Sequence, residues 1–173
     1  DGDDEWRSLQ VPSGQIFGIF GVQDPRSPND PTKRNPQPHI ILPLGTKIMA
    51  MTDGQVVMAD KIYSNDYTIQ IAVSDRSTYR VETEHVMNPL VKVGDRVTAG
   101  QVIAEVSDHS TTNYPGFGIV EIGILHTGPN LTEHLCPFSY LDASVRGPVL
   151  DAIASVLTGW ESYTGTNVYD EGS

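Results

Sequence analysis

The sequence predicts an all-β domain, a compact β-barrel or barrel-sandwich hybrid, with one C-terminal helix. Three observations predict it. Short alternating runs rich in Val, Ile and Tyr recur from Ile16 to Leu125, the pattern of half-buried strands. Turn residues separate these runs at short intervals, most clearly Asp53-Gly54 and Ala99-Gly100. Only beyond Gly147 does the apolar spacing change from two residues to the 3.6 of a helix.

In chain order, residues 1–14 form an acidic lead-in. Asp1, Asp3, Asp4 and Glu5 read as a solvated segment rather than a calcium site. The β-barrel domain spans 15–145. Gln15–Gly21 is its first strand, and five prolines between Gln23 and Pro38 mark a long irregular loop, of the kind that is usually functional or mobile. Lys47–Ala50 and Gln55–Ala59 flank Asp53-Gly54 and predict a hairpin. Strands follow at Tyr67–Val73 and Tyr79–His85. Arg96–Thr98 and Gln101–Val106 flank Ala99-Gly100, and Ile119–Leu125 follows a Gly- and Ser-rich segment. Many short strands so spaced indicate a barrel or sandwich. Val149, Leu150, Ile153, Val156, Leu157 and Trp160 then predict a helix over 146–162, packed on the barrel with Pro148 in its first turn. Residues 163–173 are expected to be a flexible tail.

At 173 residues the chain is long enough for one domain with a real core. Its net charge of −11 repels phosphate backbones and anionic lipid, which argues against nucleic acid and membrane surfaces as partners. No apolar run approaches the roughly 20 residues that span a bilayer. Cys136 is the only cysteine, so no intrachain disulfide forms. It reads as a core residue, although His134 lies two positions away at a spacing that can ligate a metal. The start at Asp1, with neither Met nor an apolar leader, reads as a processed or trimmed form, and the expected location is secreted or periplasmic.

The ordered pieces Pro43-Leu44-Gly45-Thr46, Ala50, Asp53-Gly54 and Val56, then His85, then Val91 to Ile103 with Gly94-Asp95 and Gly100-Gln101, resemble the lysostaphin-type (LytM-like) zinc metallopeptidases. The resemblance covers about Pro38–Leu125, roughly half the chain. Its Gly-Asp-x-Val-x-x-Gly hairpin is shared with biotinyl and lipoyl hammerhead domains and carries scaffold information alone. The resemblance implies a zinc hydrolase site in which His, Asp and His hold the ion and further histidines serve the attacking water. This chain departs from that set. His39 falls where the family has its Asp, and Asn35 where it has the first His. The family's late His-x-His falls on Ile119 and Glu121, or on Phe117 and Ile119. Either register sends Glu121 to the same face, because strand side chains alternate. His85 matches the family's catalytic histidine, with Thr83 in place of its usual Tyr.

Two functions stay open. In the first, His39, His85 and Glu121 form a re-made zinc site, with His85 and Glu121 as catalytic residues and water or Asn35 as a fourth ligand. Such a site would hydrolyse a peptide or a cell-wall or polysaccharide bond. In the second, the chain is a degenerate, non-catalytic module that binds peptidoglycan, another glycan or a protein, and Glu121 lies in water on an edge strand. A third reading, a lipoyl-type carrier modified at Lys61, is weaker, because the hairpin lies some thirty residues beyond that lysine.

Overall fold

A computed structural model describes residues 16–23, 27, 29–109 and 114–169. The acidic lead-in at 1–14 lies outside them. Among the described residues the chain forms ten strands: β1 (Phe17–Gly18), β2 (His39–Pro43), β3 (Lys47–Met49), β4 (Gly54–Lys61), β5 (Tyr67–Ala72), β6 (Tyr79–Met87), β7 (Arg96–Val97), β8 (Val102–Val106), β9 (Phe117–Thr127) and β10 (Thr132–Leu135). A 3-10 turn, Pro137–Tyr140, leads into α1 (Ala143–Thr164). The mostly-β fold with a single C-terminal helix is the one the sequence predicts.

The sheet runs β1-β2-β9-β6-β5-β4-β7, with β10 on β9, and β3 joined through β8 to β6. It is not closed: β1 and β7 end the main path, and the β3–β8 arm gives the barrel-sandwich character. One predicted pairing is replaced. Asp53-Gly54 does not close a β3–β4 hairpin, since β3 pairs with β8 while β4 pairs with β5 and β7. Asp53 instead accepts a hydrogen bond from the Ala99 backbone N–H at 2.7 Å. A Cβ on Gly54 would stand 2.5 Å from the Ala72 carbonyl oxygen, so the glycine serves close backbone approach rather than a turn.

Alternation divides β5 as the sequence implies. Ile69 and Ile71 enter the main core with Val56, Val86, Ile103, Val106 and Val120. Thr68 and Gln70 take the opposite face, where both donate to the carboxylate of buried Glu82. Gln37 closes that cluster with a 2.9 Å bond to Glu82, reaching across Gly123, whose absent side chain leaves the room. The end of the Pro-rich loop is thereby fastened to the sheet. Three donors on one buried carboxylate satisfy it well enough to make its burial tolerable.

The helix starts earlier than the apolar spacing predicts, because Asp142 caps it by accepting from the Ser144 N–H at 2.8 Å. Pro148 therefore lies inside the helix and not in its first turn. Ile153, Val156, Leu157 and Trp160 pack with Ile16, Phe17 and Ile41 in a second core. Beyond α1 the chain is fastened as far as Tyr169. Glu161 accepts from the Val168 and Tyr169 N–H groups, and the Tyr169 hydroxyl accepts from the Ile16 and Phe17 N–H groups at 2.7 and 2.9 Å.

Candidate metal centre

One row of side chains crosses the sheet. His39 on β2 is the Cα partner of Glu121 on β9, and Glu121 is the partner of Glu84 on β6. Directly paired residues of an antiparallel ladder share a face, so His39, Glu121 and Glu84 line the same floor. Glu121 lies on an interior strand and is only 7% exposed, which removes the edge-strand reading.

His85 joins the row through an irregular backbone. It has φ +62°, uncommon for a residue with a side chain, and the β5–β6 register shifts at Tyr67/Thr68. This bulge lets successive residues Glu84 and His85 contribute to one site instead of facing apart. Glu84, His85 and Glu121 each offer a ligand atom, all within 4.8 Å of one another. His39 is not in that group of three. Its ring lies over Gly18, where an added Cβ would fall within the imidazole.

Behind His85 stands Asp66, 1% exposed, in the turn between β4 and β5. Its Oδ2 is 3.0 Å from His85 Nδ1 and accepts from the Ser107 hydroxyl at 2.6 Å. The Ser64 hydroxyl donates to its Oδ1. Burial pushes the Asp66 carboxyl up, but the Ser107 and Ser64 hydroxyls and His85 outweigh that and hold it below the usual 3.8. The Ser64 hydroxyl also lies 3.2 Å from His85 Nδ1. Serine and aspartate thus meet the same ring nitrogen, so no proton path runs from serine through imidazole to carboxylate, and a serine nucleophile has no base here.

Asp66, His85 and His109 also bring ligand atoms within 4.8 Å, but this set suits a metal poorly. The His85 and His109 rings stack at 3.8 Å and 6°, so their in-plane lone pairs run parallel and do not converge on one ion. Asp66 is already engaged by His85 and two hydroxyls. The Glu84–His85–Glu121 set fits better. Two carboxylates directly opposite one another repel, and a divalent cation between them turns that repulsion into attraction, with an imidazole as third ligand. Asn35, offered by the sequence as a fourth ligand, is buried near the first strand. Its amide donates to the Ile19 carbonyl at 2.8 Å, while its buried Oδ1 has no hydrogen-bond partner among the described residues.

The remaining histidines lie elsewhere. His126 stacks on Tyr79 at 4.4 Å and meets Glu133. His134 is exposed on β10, and Cys136 is half-buried.

Residues 38–127 match the family model described as peptidase family M23. The chain belongs to that family. Solved structures agree on the fold. LytU is similar at 28% identity and a TM-score of 0.56, over 71% of this chain and 83% of that one. The catalytic domain of the antimicrobial peptidase lysostaphin from Staphylococcus simulans is similar at 18% identity and 0.56, over 80% and 96%. Lysostaphin in solution aligns at 22% identity and 0.57, over 72% of this chain and 49% of its own, so the chain spans about half of that protein's length. No curated protein matches the chain. M23 peptidases are typically zinc-dependent, and this M23 chain offers a compatible, carboxylate-rich donor group.

Glu84 is the residue that sequence reasoning missed. It precedes His85, and strict alternation would have turned it away. Asp66 was missed as well, since only the tertiary fold brings its turn to β6. The Ser64-Asn65-Asp66 turn gave a signal for a loop and none for a partner of histidine.

Proposed function

We propose that this M23 chain is a zinc-dependent hydrolase of the peptidase type, acting on peptide bonds of the cell wall outside the cytoplasm. The convergence of Glu84, His85 and Glu121 carries the reading. These three would hold the ion, with His39, the ladder partner of Glu121, as a candidate to complete or adjust the set. When bound, zinc polarises a scissile carbonyl and lowers the pKa of a water. The chain's own residues do the rest. Glu121 and Glu84 would neutralise part of the ion's charge and hold it on the sheet. His39 stands in the same row with an imidazole, the side chain suited to carry a proton near neutral pH. An extended peptide substrate would lie along the β2–β9–β6 row. No helix among the described residues is long and apolar enough to cross a membrane.

The deciding experiment measures zinc in purified protein by mass spectrometry, and cleavage of peptidoglycan cross-link peptides before and after chelation. Stoichiometric zinc, lost in Glu121→Gln, with cleavage that chelation stops and zinc restores, is the expected result. A metal-free protein that zinc does not bind would end the reading.

One observation favours a second reading, a wall-binding module without catalysis. The resemblance leaves no position of the family's His-Asp-His ligand set with its usual residue, and the single histidine within the cluster, His85, falls on the family's catalytic position instead. Binding to insoluble peptidoglycan that persists under chelation, with no cleavage, would select it.

A further inference from the structure

A cavity of about 250 Å³ lies at the β9–β10 turn, lined by His126, Gly128, Pro129, Asn130, Leu131 and Glu133. It is on the reverse of the sheet from the candidate metal centre. His126 is the ladder partner of Tyr79. His126 and Tyr79 stand an odd number of residues from Glu121 and Glu84 on β9 and β6, so their side chains take the opposite face.

The cavity is built rather than incidental. The Gly128 N–H donates to the Leu131 carbonyl at 2.8 Å and closes the turn. Thr127 donates twice to the Thr78 carbonyl, from its N–H at 2.7 Å and its hydroxyl at 3.0 Å, which locks the end of β9 to the start of β6. Tyr79 stacks on the His126 ring at 4.4 Å and 13° and backs it from outside the lining. The His126 Nδ1 lies 3.3 Å from the carboxylate of Glu133, its partner on β10. The imidazole is therefore held flat at the surface, and a ligand that stacks on it meets a surface already ordered.

The lining sorts by chemistry. His126, Pro129 and Leu131, the last 66% exposed, offer apolar contact. Glu133 can accept several hydrogen bonds, and the Asn130 amide can both donate and accept. An anion would meet the Glu133 carboxylate and the net charge of −11. A cation would meet one carboxylate, already turned to His126, and no second acidic group in the lining. The volume falls below the roughly 300–1,000 Å³ of drug-sized sites, so it suits a single ring. The geometry points to a binding site for one N-acetylhexosamine residue of a neutral glycan. The apolar C–H face of the sugar lies on His126, its hydroxyls donate to Glu133, and its acetamido group meets Asn130 and Leu131. This site goes beyond the proposed hydrolase and does not depend on it.

The test is a titration of the isotope-labelled full chain with chitotetraose, followed by amide and aromatic NMR. Shifts confined to Tyr79 and residues 126–133 are expected. Tyr79→Ala and Glu133→Ala should each weaken binding about fivefold, the scale of one lost hydrogen bond or ring contact. Tyr79→Phe, which keeps the stack, should bind as the wild type does. Cellotetraose, which lacks acetamido groups, should bind more weakly. No response to chitotetraose, a response centred on His39, Glu84 and Glu121, full binding by folded Tyr79→Ala, or equal binding of cellotetraose each overturns the assignment. A protein that takes up no zinc but binds the sugar as stated ends the metal reading alone. A protein that holds zinc and ignores the sugar ends this inference alone.

Discussion

Glu84 and Glu121 face each other directly across the β6–β9 ladder, two carboxylates on one half-sheltered floor. A pair of this kind is destabilising unless a cation or a proton lies between its members. A divalent cation bound beside both would be drawn by the two carboxylates at once.

That arrangement predicts opposite effects of one substitution. Glu121→Gln should leave the metal-free protein as stable as the wild type, or up to about 1 kcal/mol more stable, because a like-charge pair is removed. It should also abolish stabilisation by zinc. In the wild type, zinc at a hundredfold excess over its Kd adds about 2.7 kcal/mol. Thermal unfolding with chelator and with zinc measures both.

Gly18→Ala should displace the His39 ring, since the new methyl group would occupy its place. Overpacking of this kind costs about 1–3 kcal/mol. Cleavage should fall at least tenfold if His39 carries a proton, while zinc content changes little because His39 is outside the three-ligand group. Comparing zinc content with kcat/KM separates these effects.

Acid should weaken the fold through Asp66. Its folded pKa is lowered, so the stability it contributes is present above the unfolded value of 3.8 and is lost as pH falls through the folded value. Urea unfolding followed from pH 6 downward should show a steeper acid limb in the wild type than in Asp66→Asn.

Tyr169→Phe should cost about 1–3 kcal/mol, because two buried backbone N–H groups lose their acceptor. Burial raises the Tyr169 pKa above 10.0. Its contribution is complete below the unfolded pKa and is lost as pH rises through the folded one. The alkaline limb of the unfolding curve should therefore flatten in Tyr169→Phe.

Much of the scaffold was legible because it is written in local terms. The alternation of Ile69 and Ile71 against Thr68 and Gln70 gave β5 its two faces, and parity alone put Glu121 on the site face in either register. What failed was pairing. Asp53-Gly54 looked like a hairpin, yet the partner of β3 is β8, more than fifty residues on, a choice made by non-local packing. At the site, His85 was legible and its neighbour was not. A bulge cancels the period of two on which the reading depends, and no spacing rule anticipates a histidine at positive φ. Asp66 needed the three-dimensional fold.

The Tyr169 hydroxyl has one more consequence. β1 ends the main path of the sheet, and such a border with open N–H groups is where a foreign strand can add. By taking the Ile16 and Phe17 N–H groups, Tyr169 closes that border to recruitment. A partner that joins by strand addition would therefore have to use another border among the described strands, at β3, β7 or β10.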